Sequence, residues 1–181
     1  MDEPVEIFVR DAAAYTDEPF YLGFMSLLSL AAWTATATLS AFIAWIEPRT
    51  RVRLVLLAVL TAVLGADDSL LLHEAVSPKF GVHEVVPYAI YAVLGLALAW
   101  QFSPLRTRGA GVAYFLGGTF LASSIVTDQR SVDLWLLEEG LKLLGVLTWI
   151  AVPLLTHAAL DRHGPLGEGA AATADRRAAA G

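Results

Sequence analysis

The chain has 181 residues, of which 56% are hydrophobic and 17% charged, with 12 Lys and Arg against 18 Asp and Glu. Soluble domains carry about a quarter charged residues, so this composition, with a mean hydropathy of +0.60, points to a membrane bundle with no room for a second domain. The net charge of −6 argues against nucleic acid as a partner, and the absence of cysteine excludes disulfides, thiolate metal sites and thiol chemistry.

Residues 1–18 are acidic and mixed. A secretory signal starts positive and runs at once into an apolar core, so this stretch reads as a retained extracytoplasmic segment. A helix needs about 20 mostly apolar residues to cross the hydrocarbon layer. The first candidate, residues 20–46, holds no charge. The second, 54–76, is apolar until Asp67, Asp68, His73 and Glu74. Pro78 and Gly81 mark the turn that follows. The third and fourth, 85–102 and 109–126, are shorter and separated by Pro104, Arg106 and Arg108. The fifth, 132–160, carries Glu138, Glu139 and Lys142. From Gly164 onward the chain is Ala, Gly and Arg with almost no large apolar side chain, so residues 162–181 read as a disordered tail. The fold class expected over residues 19–161 is all-α: a polytopic transmembrane bundle of about five spans.

Orientation follows from Lys and Arg in short loops. Arg49, Arg51, Arg53, Arg106, Arg108, Arg162, Arg176 and Arg177 all fall on one side of a five-span arrangement. That bias places the C-terminus in the cytoplasm and the N-terminus outside, in a cell membrane. The lipid bilayer is the first partner expected; a second copy, or a subunit of a larger membrane complex, is the other. Trp45, Trp100 and Trp135 fall near the interfaces, where amphipathic rings concentrate. Small residues at helical spacing, Ala31 and Ala35 on the first helix, Gly95 and Ala99 on the third, predict close helix packing.

Depth is the informative feature. At 1.5 Å per residue, Asp67 lies about 20 Å from the cytoplasmic start of its helix, about 10 Å below the outer surface. Glu138 lies about 9 Å below that same surface and Lys142 about 15 Å. Two helices therefore bring charges to one level of the outer leaflet. Asp67 and Glu74 share a helix face, as do Glu138 and Lys142. His83, Glu84 and Asp128 sit at the same end. An ionised group facing lipid costs on the order of 2.5–3.5 kcal/mol, so these groups must face inward, pair, protonate or bind a cation.

Three readings follow. A buried ion network would have Lys142 neutralise Glu138 or Asp67. A divalent-metal site would draw on Asp67, Asp68, His73, Glu74 and Glu138, a donor set suited to Fe, Mn or Zn, as facing helices of bundles hold two metals. The di-iron pattern uses Glu-x-x-His, however, and here His73 and Glu74 are adjacent. A proton or cation pathway would let the carboxylates titrate in turn. The cytoplasmic halves of the helices hold almost no ionisable group, which argues against a through-path.

The run Glu138-Glu139-Gly140-Leu141-Lys142 resembles the EExxK motif of the PrsW-type intramembrane proteases, and is similar to the EExxxR motif of the CAAX-processing proteins. The resemblance covers about ten residues. It implies paired glutamates that activate water with help from other helices. Here those glutamates lie on the last helix, whereas that family's further motifs follow them. His157 with Asp161 looks like an HxxxD motif, but stands 18 residues beyond Glu139, about 27 Å along the helix. His73 or His83 is left to complete the site. The pair DDxxLLHE and LEEGLKLLG also resembles a set of small uncharacterised bacterial membrane proteins. In the catalytic version Glu138 or Glu139 is the general base, His73 or a metal stabilises developing charge, and Lys142 holds one glutamate ionised or acts as electrophile. The non-enzymatic version is an ion-coupled transporter component or a structural subunit.

Overall fold

The computed structural model describes residues 24–70, 77–81, 83, 85–105, 108–128 and 134–161. Among them are five α-helices: α1 (Phe24–Ile46), α2 (Arg51–Leu70), α3 (Val85–Phe102), α4 (Gly109–Asp128) and α5 (Trp135–Asp161). Short 3-10 turns at Pro48–Thr50, Ser77–Phe80 and Ser103–Leu105 join or flank them, and no strand occurs among the described residues. The expected segments at 1–18 and 162–181, the start of the first span and residues 71–76 of the second lie outside the described residues, and so do His73 and Glu74.

The protein is an all-α, polytopic membrane bundle. Four stretches, Phe24–Ile46, Val85–Leu105, Gly109–Thr127 and Leu136–Leu160, are long and apolar enough to cross a membrane. The helix left out is α2, whose 20 residues include Arg51 and Arg53 at one end and Asp67 and Asp68 near the other. Between these charges lie 13 residues without one, and α1 packs along them.

A polar group in hydrocarbon has no water to bond and is best satisfied inside the chain. Thr34, Thr36, Thr61, Ser69, Thr119, Thr127, Thr148 and Thr156 each donate to the carbonyl one turn back, at 2.7–2.9 Å. A helix that consumes its own hydroxyls in this way can face lipid. The lipid-facing surface accordingly carries Leu27, Phe42, Val52, Val93, Leu96 and many other exposed apolar side chains.

The helices alternate in direction. Arg51 Nε donates to the Ala44 carbonyl at the end of α1 (3.3 Å), where a cation also suits the helix dipole. Arg53 lies over the Phe102 ring at the end of α3 (5.8 Å). His157 Nδ1 near the end of α5 stands 3.3 Å from Glu47 Oε1 at the end of α1. Gly109, which opens α4, faces Leu155 of α5. One end of the bundle is therefore basic, and Trp45 and Trp100 are strongly exposed there. Asp67, Asp68, Glu138 and Glu139 belong to the other end.

The core lies between the two ends. Its centre is an aromatic column crossing four helices: Phe102 stacks on Tyr114 (4.8 Å), Tyr114 on Trp149 (5.5 Å), and Trp149 meets Trp33 edge-on (6.3 Å). Two polar groups of the column, those of Trp149 and Tyr114, are satisfied across helices. Trp149 Nε1 donates to the Tyr114 carbonyl (2.9 Å) and the Tyr114 hydroxyl donates to the Gly95 carbonyl (2.7 Å). Leu54, Leu57 and Leu60 of α2 and Val146 and Val152 of α5 complete it.

The closest helix contacts differ from those expected of Ala31, Ala35, Gly95 and Ala99. A Cβ at Gly117 of α4 would collide with the Trp149 ring and come within 2.8 Å of the Gly145 carbonyl, and one at Gly145 of α5 would lie 2.7 Å from Leu121 Cγ. A Cβ at Gly65 of α2 would lie 2.7 Å from Trp33 Cβ of α1. At Gly95 nothing lies within 4 Å, because α3 stands away from α4 there. The turn expected at Pro78 and Gly81 is present, with Gly81 at φ +70°, in the left-handed region that glycine adopts without strain.

A charged cavity at the acidic end: the candidate functional site

All five helices contribute to a cavity of about 290 Å³ near the acidic end. Ser26 and Trp33 come from α1, Asp67 and Asp68 from α2. Tyr88 and Tyr91 come from α3 and Ser124 from α4. Glu138, Glu139 and Lys142 come from α5. The charges that the sequence placed at one depth thus line one cavity. They reach it from helices that hardly touch along their backbones: α1 packs against both α2 and α5, and the long side chains span the gap.

Lys142 is the hub. Its Nζ donates to Asp68 Oδ1 at 2.9 Å and to Glu139 Oε1 at 2.6 Å, and Glu138 Oε1 stands 3.8 Å away. The expected partners for this ammonium were Glu138 or Asp67; the shorter contacts go to Asp68 and Glu139. The helical offset explains the difference, because Glu139 is three residues from Lys142 and Asp68 reaches in from α2. All four side chains are about four-fifths buried. At such sites charge-assisted bonds are short and strong. Asp67 of α2 and Tyr91 of α3 line the cavity together.

Two buried polar atoms on this cavity have no hydrogen-bond partner among the described residues. They are Glu139 Oε2, an acceptor, and Trp33 Nε1, whose N–H is a donor. Neither touches solvent, so a water or ligand group meets them only with a small shift of the surrounding side chains. An orphaned buried polar group costs about 1–3 kcal/mol, and a guest that satisfied both would recover that cost.

Among the described residues no group of three or more His, Asp or Glu side chains is placed to hold a metal ion. The Lys142 ammonium occupies the space between Asp68 and Glu139 where a cation would sit. Of the ligand set expected from the sequence, Asp67, Asp68 and Glu138 line the cavity, while His73 and Glu74 lie outside the described residues. His83 is exposed and accepts the Val85 N–H on Nδ1 (3.3 Å), capping α3 away from the cavity. His157 is at the opposite, basic end, as its distance along α5 requires.

Sequence reasoning overlooked Trp33, Tyr88, Tyr91, Ser26 and Ser124. The tyrosines carried a usable signal, since they lie three residues apart at the start of the third helix, level with the acidic groups. Trp33 carried none: an aromatic in mid-helix reads as core, and it is core on its Trp149 side.

No curated protein and no solved structure matches the chain. One family model does, that of a domain of unknown function, DUF8692, over residues 1–156. On that match the chain belongs to the DUF8692 family.

Proposed function

We propose that this membrane protein is an acid–base enzyme of hydrolytic type, with Glu139 as general base. The observation that carries the reading is the division of Glu139 between two environments. Lys142 holds Oε1 at 2.6 Å, while Oε2 is buried beside the cavity without a partner among the described residues. In the reaction Oε2 takes one proton from a water, and the water oxygen attacks an acyl carbon. The carbonyl oxygen becomes an oxyanion that the Trp33 N–H stabilises as a preformed donor. As the tetrahedral species collapses, the proton on Glu139 passes to the leaving oxygen or nitrogen, giving an acid and an alcohol or amine. Glu138, His73 and Glu74 then shape the charge of the site, and Lys142 and Asp68 are positioning residues.

The local resemblance of Glu138-Glu139-Gly140-Leu141-Lys142 to the PrsW-type motif supports the same chemistry. A resident Fe, Mn or Zn would draw on Asp67, Asp68 and Glu138 with His73 and Glu74. Elemental mass spectrometry of the purified protein beside an Asp67→Asn/Glu138→Gln variant tests that version: near-stoichiometric metal, lost in the variant, supports it.

A second reading is a non-enzymatic, ion-coupled component. It is favoured by the gathering of four carboxylates, Asp67, Asp68, Glu138 and Glu139, with Lys142 in one cavity. The core of Leu54, Leu57, Leu60, Val146 and Val152 closes the way to the basic end, so this component would bind and release from one face. The orientation that fits the arginine bias puts the cavity on the outer face of a cell membrane and the C-terminus in the cytoplasm.

The test is isotopic. The protein in vesicles of total membrane lipid and peptide extract is incubated in ¹⁸O-labelled water, and new carboxylic acids are read by mass spectrometry. Label incorporated by the wild type and lost in Glu139→Gln, compared at equal amounts of folded protein, is the expected result. Equal incorporation by both proteins overturns the reading.

A further inference from the structure

The outward face of α2 joins two chemistries end to end. The helix opens on Arg51 and Arg53, and Arg49 is exposed in the turn before them. Successive residues of an α-helix are rotated by about 100°, so Arg51 and Arg53 flank Val52, one on each side. Val52 points outward and is 65% exposed. Val55 and Val59 follow it on the same face, three and seven residues on, and are exposed too. The opposite face, with Leu54, Leu57 and Leu60, is buried. Each arginine is braced against a neighbouring helix. Arg51 Nε donates to the Ala44 carbonyl of α1 at 3.3 Å, and Arg53 lies 5.8 Å over the Phe102 ring of α3. Neither brace is a carboxylate. Among the described residues the ion pairs are those of Lys142, and of His157 with Glu47, and the first turn of α2 holds no acid.

We propose that this face binds an anionic phospholipid, with its phosphate between Arg51 and Arg53 and an acyl chain along Val52, Val55 and Val59. The site lies at the opposite end of the bundle from the charged cavity and does not depend on the hydrolytic reading. Depth is the first argument. Ala44 and Phe102, which brace the arginines, stand within two residues of Trp45 and Trp100, and both of these rings are strongly exposed. Exposed tryptophans of a span concentrate at the level of the headgroups, so the guanidinium groups lie where lipid phosphates lie. Geometry is the second. A guanidinium offers a planar fork that matches two phosphate oxygens, and bracing lowers the entropy lost when that fork is occupied. Arg51 spends only Nε on Ala44, which leaves its two Nη groups for a ligand. Charge is the third. Arg49, Arg51 and Arg53 together favour a headgroup with net negative charge, and oppose the ammonium of a zwitterionic one. The valine stripe separates a lipid from a free anion, because only an amphiphile uses the arginines and the stripe at once.

Native mass spectrometry of the full chain tests this. The protein is released from micelles holding equal amounts of phosphatidylglycerol and phosphatidylcholine with identical acyl chains, and the bound lipid is counted. The expected result is one phosphatidylglycerol retained in preference to phosphatidylcholine by at least about tenfold, a difference of about 1.4 kcal/mol. Arg51→Gln/Arg53→Gln should bring the two lipids within about twofold of each other. Those side chains also brace the helix ends, so a second variant leaves them in place. Val52→Glu sets a carboxylate between the arginines at an outward position with no part in the core, and should abolish the preference as well. Equal retention of the two lipids by the wild type overturns the proposal. So does a preference that survives Val52→Glu, whatever the arginine variant does. Displacement of the lipid by excess glycerol phosphate also overturns it, since the site would then take a soluble phosphate and make no use of the valines.

Discussion

Lys142 holds two carboxylates within 3 Å and a third at 3.8 Å, from two helices, inside a span. An ammonium facing hydrocarbon costs on the order of 2.5–3.5 kcal/mol, and so does each carboxylate. Packed together they neutralise one another, but the arrangement fails if one member leaves. Lys142→Met should therefore lower the unfolding free energy in mixed micelles by about 3 kcal/mol or more, because it strands Asp68 and Glu139 in a low-dielectric cavity. Glu138→Gln removes the longest of the three contacts and should cost less than Lys142→Met. A reversed order of these two variants would contradict Lys142 as the hub of the cluster. Tyr114→Phe deletes the hydroxyl that reaches the Gly95 carbonyl and should cost about 1 kcal/mol, read in the same unfolding experiment. Residues whose chemistry is fixed by solvation were legible in the sequence: Asp67, Asp68, Glu138, Glu139 and Lys142 are conspicuous because charges do not sit idle in apolar helices. Their pairing was not legible. Whether Lys142 takes Asp67 or Asp68 depends on the rotation of α2 about its axis, which is set where α2 packs on α1 and α3 with Leu54, Leu57 and Leu60 buried.

Helix association in a bilayer draws little on the hydrophobic effect, since lipid tails are as apolar as leucine. The contacts that hold α4 to α5 are instead close backbone approaches at Gly117 and Gly145, locked by the Trp149 bond to the Tyr114 carbonyl. Gly145→Val should force these helices apart and destabilise the bundle by about 2 kcal/mol or more, of the order seen for overpacked cores. Gly95→Ala, with open space around it, should leave stability within about 0.5 kcal/mol of the parent. Thermal unfolding of both variants in one detergent checks the pair. The elements themselves were legible: the third span was expected at 85–102 and α3 is Val85–Phe102, and the fourth was expected at 109–126 and α4 is Gly109–Asp128. Apolar length and the punctuation at Pro104 decide such boundaries locally. Which glycines make contacts is decided between helices, so Gly95 and Gly117 look alike along the chain and differ in space.

Across the whole molecule the charges are sorted by end. Arg49, Arg51 and Arg53 share one end with Glu47 and His157, and the cavity carboxylates belong to the other. Because the chain has no cysteine, single introduced cysteines report topology cleanly. Lys79→Cys and Arg49→Cys both fall at exposed turn positions, one at each end. With the cavity on the outer face, an impermeant maleimide should label Lys79→Cys in intact cells and reach Arg49→Cys only after lysis. The opposite pattern would invert the assigned orientation. The account as a whole depends on α2 and α5 forming one site although α1 lies against both. A double-mutant cycle on Asp68 and Lys142, with Asp68→Asn, Lys142→Met and the pair unfolded under identical conditions, measures that directly. A coupling of about 2 kcal/mol between the two positions is the expected result. Additive effects, with coupling within about 0.5 kcal/mol of zero, would contradict the shared site.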